Sequence, residues 1–188
     1  MSIQPDVAQS EFRERFYRSV AETLALLHAW PERAFGDVMA EVAATLAGTM
    51  RLPLVWIARR EAGQDQVTML ALAGEARAYG EHLRLSANAA DPEGDGPIGR
   101  MLRDGRARVT EVDAPEFAPW REAALAFGFG ATIAAVSALR DGGQLVLSVY
   151  SRAVGRGWTA SCWTGRSAWS TSWRAFATTS SCWNAAGA

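Results

Sequence analysis

ATIAAVSALRDGGQLVLSVYS, residues 131–151, is the stretch on which the reading of the fold turns. Two apolar runs, ATIAAVSAL (131–139) and QLVLSVYS (144–151), flank RDGG (140–143). Both are of strand length, and a short connection carrying Asp-Gly and Gly-Gly supplies the backbone freedom of a tight hairpin. Upstream, LVWIARR (54–60) reads as a largely buried strand, EAGQD (61–65) as a turn, and VTMLALAG (67–74) as a second strand. Antiparallel hairpins therefore stand first and last in the order of strands along the chain. Between them residues 75–96 are polar and irregular, with NAADPEGDG (88–96) a clear loop signal. GPIGRMLRDGR (96–106) reads as a short helix ending at Asp104-Gly105, ARVTEV (107–112) as a strand, and DAPEFAPW (113–120) as an irregular connection. WREAALAFGFG (120–130) reads as a second short helix closed by glycine.

Two longer helices precede the sheet. Phe12, Phe16, Val20, Leu24 and Leu27 recur at helical spacing from Ser10, the expected cap, to about Trp30. Ala29-Trp30-Pro31 breaks that helix, and Pro31 suits the first turn of the next, whose apolar face is Phe35, Val38, Met39, Val42 and Leu46. Leu52-Pro53 ends it. This order predicts an α+β fold around one central antiparallel sheet.

At 188 residues, 49% hydrophobic and net charge −1, the chain can bury a core and has no electrostatic bias toward nucleic acid or anionic membrane. Its apolar runs are too short to span a bilayer, and the polar, acidic N-terminus lacks a signal-peptide pattern, so a cytoplasmic location is expected. Cys162 and Cys182 are the two cysteines, so nothing before Cys162 can form a disulfide, a thiolate metal site or a cysteine nucleophile. Every basic side chain is Arg.

Four stretches together resemble the GAF domain, in the form found upstream of GGDEF, EAL or histidine kinase modules. They are LPLVWIARRE (52–61), DPEGDGPIGRMLRDGRARVTEV (91–112), FAPWREAALAFGFGATIA (117–134) and GGQLVLSVYS (142–151). The resemblance covers residues 30–151 and implies a GAF/PAS-like sheet of about six strands. N- and C-terminal helices would pack on one face, and a loop- and helix-lined pocket would lie on the other, under a lid of residues 86–120. It divides the chain into an N-terminal signalling or dimerisation helix (1–30), a GAF domain (31–152) and an aberrant tail (153–188).

That tail holds five of the eight tryptophans and both cysteines, and WTASCWTGRSAWSTSWRAFATTSSCW (158–183) has no Asp or Glu. Shifting the codon register by one nucleotide turns Trp158-Thr159 and Trp163-Thr164 into Asp, and Cys162-Trp163 and Cys182-Trp183 into Leu. Trp183-Asn184 becomes Glu. The shifted reading is a Leu/Asp/Glu/Arg amphipathic pattern, the kind that follows the last strand in the family. A frameshift after Ser151 is therefore expected; the competing reading is a genuine Trp-rich binding tail.

No nucleophile–base pair stands out, so no enzymatic activity is expected. His28 and His82 are the two histidines, on different elements. His28 reads as a helix-interface or surface residue; His82 borders the expected pocket, and a haem-binding gas or redox sensor is an alternative. Asp91, Glu93 and Asp95 are spaced for a cation or an acid/base pair, and equally for a solvated turn with Asp95 capping the next helix. Trp120 can stack on a planar ligand and Arg121 can clamp an anion, or they are an anchor and a partner of Asp113 or Glu116. Trp56 and Tyr150 lie on strands, as core or as pocket floor. The expected ligand-binding set is thus Trp56, His82, Asp91, Asp95, Trp120, Arg121 and Tyr150, with no cofactor identified. Covalent bilin attachment and free methionine sulfoxide reduction both need cysteines absent before Cys162. The Lys-containing signature of cyclic-nucleotide-binding members is also missing. A regulatory sensor domain is expected, binding a small ligand, controlling an attached output such as a diguanylate cyclase, phosphodiesterase or histidine kinase, and forming a homodimer through its terminal helices. A ligand-free structural dimerisation domain is the alternative.

Overall fold

In the computed structural model, which describes residues 7–29 and 33–152, the continuous apolar runs become the sheet. Its strands are β1 (Leu54–Arg60), β2 (Val67–Ala73), β3 (Arg108–Glu111), β4 (Ala131–Ala138) and β5 (Gln144–Ser151), all antiparallel, in the order β2-β1-β5-β4-β3. Among the described residues there are five strands, one fewer than the expected number. The segment after β2 contributes only an isolated bridge, Gln66 to Ser86.

The hairpin that opened the reading pairs in register from Ala131 opposite Ser151 to Ala138 opposite Gln144. Its turn closes through Leu139 N–H to the Gly143 carbonyl at 2.8 Å, with Gly142 at φ 84. Asp141 Oδ1 accepts from Gly143 N–H at 2.9 Å. Glycine at 142 is required because that φ costs other residues steric strain.

Because side chains alternate across a strand, register divides the core into two layers. Val55 and Ile57 of β1, Leu145, Leu147 and Val149 of β5 and Ile133 of β4 face the helices. There they meet α1 (Val7–His28) and α2 (Phe35–Met50). A bulge in the β1–β2 ladder between Ile57 and Ala58 turns both Leu70 and Ala71 to this side. The opposite layer holds Leu54, Trp56, Ala58, Ala134, Val136, Val146 and Tyr150. It is covered by α3 (Arg77–Glu81), α4 (Pro97–Asp104), a 3-10 helix (Pro115–Trp120) and α5 (Arg121–Ala126).

The helix expectations need three corrections. Ser10 does not cap α1, which begins at Val7, so Ser10 sits inside the helix and is exposed. Leu24 is 44% exposed, on the same outward strip as Tyr17 seven residues earlier, while Leu26 packs inward instead. α2 starts at Phe35 with Ala34 before it, and Pro31 lies outside the described residues. Its apolar face is as expected: Val38, Met39, Val42 and Leu46 are buried. The expected C-terminal helix and the tail read as frameshifted also fall outside the described residues.

Candidate functional site

The layer opposite α1 and α2 is filled by the protein's own side chains. Tyr79 comes from α3, Phe129 from the turn after α5, and Trp56 and Tyr150 from the two central strands. The Tyr79 ring meets those of Phe127, Phe129 and Tyr150 edge-on, with centroids 5.6, 5.2 and 5.5 Å away. Phe129 and Tyr150 are 4.7 Å apart. Such aromatic pairs contribute roughly 0.5–1.5 kcal/mol each beyond their buried area. Gly80 lets α3 approach the sheet; a Cβ there would lie 2.2 Å from Leu72 Cδ2.

Polar groups are set into this apolar layer. Thr132 lies opposite Tyr150, and Ser148 opposite both Trp56 and Ala134. Thr132 and Ser148 satisfy each other at 2.9 Å, and Thr132 Oγ1 donates to the Val149 carbonyl at 3.1 Å. Trp56 and Tyr79 are different. Trp56 is 0% and Tyr79 5% exposed, yet neither the indole Nε1 nor the Tyr79 hydroxyl has a hydrogen-bond partner among the described residues. Burial, then the nearby Tyr150 hydroxyl, pushes the Tyr79 phenol well above its ordinary range. Burial also pushes Tyr150 up to about 12, against the opposing pull of Tyr79, Trp56 and Thr132. Both orphan donors are therefore near the Tyr150 oxygen, but not at hydrogen-bonding geometry.

The expected site residues separate on this frame. Trp56 and Tyr150 share the filled layer. His82, at the end of α3, is exposed, placing its imidazole in solvent rather than in the buried layer where a haem would be held. His28 is exposed at the end of α1. Asp91 accepts from Ser86 Oγ at 2.6 Å, which pins the loop beneath α4. Asp95 does not cap α4, whose preceding residue Gly96 has no side-chain cap. Its carboxylate turns outward to Arg100, with contacts of 3.3 and 3.2 Å, and this pair holds it below the usual carboxylate range. Trp120 is half-buried, edge-on to Phe117 at 5.9 Å, with its ring over Gly96, where a Cβ would fall 2.2 Å away. It is an anchor beneath the loop layer. Arg121 meets neither the Asp113 nor the Glu116 carboxylate. It donates to the carbonyls of Val112, Asp113 and Ala114 at 3.2, 3.0 and 2.9 Å, so its guanidinium already fastens the chain before the 3-10 helix. Among the described residues, no cluster of three His, Cys, Asp or Glu side chains could hold a metal.

A groove of about 760 Å³ opens instead on the helix side, between α1, the end of α2 and the end of β2, lined in part by Phe12, Arg15, Arg51, Glu75 and Arg152. It is separate from the polar cluster and contains none of the expected site residues.

No protein-family model and no curated protein matches the chain. Solved structures do. The GAF domain of A. aeolicus nlh2 in an inactive state superposes with a TM-score of 0.60 at 17% identity, over 77% of this chain and 83% of that one. The fold is that of GAF domains. The phycocyanobilin-bound GAF domain from a cyanobacterial phytochrome gives a TM-score of 0.53 at 14% identity, over 74% and 81% of the two chains. The free methionine-R-sulfoxide reductase of Neisseria meningitidis, in complex with its substrate, gives 0.57 at 16%, over 86% and 85%. At these identities the likeness is one of GAF architecture; the three proteins differ in what they do on it. No described helix is long and apolar enough to cross a membrane.

Proposed function

We propose that the chain is a regulatory GAF sensor domain that binds a small ligand in the layer between the sheet and α3–α5. The observation that carries this reading is the pair of buried donors, Trp56 Nε1 and Tyr79 Oη, left without acceptors inside an aromatic layer. A buried orphan donor costs about 1–3 kcal/mol, a cost that a ligand acceptor removes. That two structural neighbours carry bilins in their GAF domains supports a small-ligand role for the fold. Ligand seated there would reorder the loops under Trp120 and bias the packing of α1 and α2 across the sheet. Only differential affinity for the two packings transmits a signal. The output would be an attached enzyme of the diguanylate cyclase, phosphodiesterase or histidine kinase kind, which under the frameshift reading would be encoded in the other frame. The exposed Tyr17 and Leu24 strip on α1 supports self-association there. Of the expected ligand-binding set, Trp56 and Tyr150 remain in this reading, with Tyr79 added.

A closed layer equally suits the second reading, a structural dimerisation domain without ligand. Thermal-shift screening of the intact chain against nucleotides, haem, small carboxylates and neutral carbonyl compounds separates the two. A hit abolished by Trp56→Phe supports the sensor; no hit in any class refutes it. Light scattering tests the dimer, and resequencing the gene across codons 150–160 tests the frameshift.

A further inference from the structure

We propose that the layer takes a small, neutral, planar molecule presenting one carbonyl-type oxygen to Trp56 Nε1 and Tyr79 Oη, an assignment that rests on reading this layer as the ligand site. Both groups are hydrogen-bond donors more than nine-tenths buried. Trp offers a donor only, so its indole N–H can be satisfied there by an acceptor and by nothing else. The hydroxyls in the layer do not meet that need: the Tyr150 oxygen lies near both donors, but neither reaches it at hydrogen-bonding geometry. The Thr132 and Ser148 hydroxyls are bonded to each other and to the Val149 carbonyl.

Charge decides the rest. An anion entering this layer would lose its hydration without gaining a counter-ion. The nearby guanidiniums are engaged elsewhere. Arg121 spans three backbone carbonyls, and Arg103 holds those of Ala87 and Gly94 at 2.9 and 2.7 Å. Arg59 points to the other side of the sheet, where it pairs with Asp141 and Glu61. A cation would face two N–H and O–H groups of the wrong polarity. A neutral carbonyl oxygen, which accepts two hydrogen bonds, satisfies both donors and carries no charge to desolvate.

The lining sets the shape. Tyr79 and Phe129 each meet the other rings of the set Tyr79, Phe127, Phe129 and Tyr150, so the space that one of them can yield is flat. Phe127 is the ring at the outer edge: half-buried, stacked on Phe129 at 6.0 Å, and followed by exposed Gly128 at φ 71. Its ring centroid is 5.6 Å from that of Tyr79, so displacing this half-buried ring frees space beside Tyr79.

Three isosteric probes read the assignment directly: benzamide (neutral), benzoate (anionic) and benzamidinium (cationic). Each is titrated calorimetrically into the intact chain and into its Trp56→Phe, Tyr79→Phe and Phe127→Ala variants, with circular dichroism confirming the fold of each. Benzamide is expected to bind, to lose about tenfold in affinity with either donor removed, and to bind more tightly to Phe127→Ala. Benzoate and benzamidinium are expected to bind at least tenfold more weakly. Benzoate or benzamidinium binding as well as benzamide, with the same dependence on Trp56 and Tyr79, overturns the neutral-ligand assignment and leaves the layer standing as a ligand site. Failure of all three probes on both the intact chain and Phe127→Ala overturns the assignment, while a thermal-shift hit of another class that Trp56→Phe abolishes leaves the layer standing as a ligand site.

Discussion

Replacing Tyr79 by Phe should stabilise the protein, the reverse of the usual effect of trimming a buried side chain. The ring contacts with Phe127, Phe129 and Tyr150 survive, because Phe keeps the same ring in the same helix. What is removed is a hydroxyl that is buried and unpartnered. An orphaned polar group holds about 1–3 kcal/mol of uncompensated desolvation, which the substitution returns. The space left is smaller than a methyl group, whose void would cost about 1 kcal/mol. The balance is a gain of about 0.5–2 kcal/mol, or about 2–4 °C in Tm per kcal/mol for a chain of this size. Urea denaturation should show the midpoint rising with an unchanged slope. Thr132→Val is the matched opposite. It breaks contacts to Ser148 and Val149 that are made, and should cost about 1–2 kcal/mol. If Tyr79→Phe instead lost 1 kcal/mol or more, its hydroxyl would have an acceptor in solution, and the argument from orphan donors would fail.

Alkaline stability follows from the same cluster. The Tyr79 and Tyr150 phenols are both raised in the folded state, Tyr150 to about 12, so they favour the folded form fully below the unfolded value near 10. That contribution should fall as pH rises from about 10 through 12. Tyrosinate absorbance of these two should appear only with loss of the circular dichroism signal; ionisation within a still-folded protein would count against their burial. On the acidic side, Asp95 is depressed by Arg100, so the pair's small contribution persists above the unfolded carboxylate value near 4 and is lost as pH falls through the folded one. Carbonyl NMR titration should show Asp95 returning toward the ordinary value in Arg100→Gln, and no change there would discount the pair. Gly94→Ala should destabilise by about 1–3 kcal/mol. A Cβ at residue 94 would lie 1.7 Å from the Asn88 carbonyl oxygen, which is backbone and cannot swing aside. A neutral melt would show that the loop is looser than its packing implies.

β1, β2, β4 and β5 were legible because each is a largely apolar run of strand length bounded by turn residues, and β3, RVTE, because β-branched Val109 and Thr110 follow the turn at Gly105. LVWIARR became β1 residue for residue, and RDGG set the register of β4 on β5. α4 was legible from Pro97 at its start and Gly105 at its end. Tyr79 was not. It stands in a five-residue helix, too short to show periodicity, inside a segment whose polar composition reads as loop. The Phe129–Tyr150–Tyr79 contacts join residues far apart in sequence, which no local pattern reports. Arg121 misled for a different reason. Charge matching points a guanidinium toward Asp113 or Glu116, whereas the acceptors it found are backbone carbonyls, which carry no residue-type signal. The face of Trp56 became readable only once β1 was paired with β5, since alternation gives relative facing but not which side is covered by which helices.

The indole N–H of Trp56, assigned by its loss in Trp56→Phe, is the most direct reporter of the central claim. In a proton–nitrogen correlation spectrum of the free protein, it should resonate upfield among the indole signals, where an unbonded N–H lies. On saturation with a neutral carbonyl ligand it should move downfield. A Trp56 signal already at a hydrogen-bonded position in the free protein, and unmoved by any ligand, would mean that the donor is satisfied within the fold and that the layer is simply core.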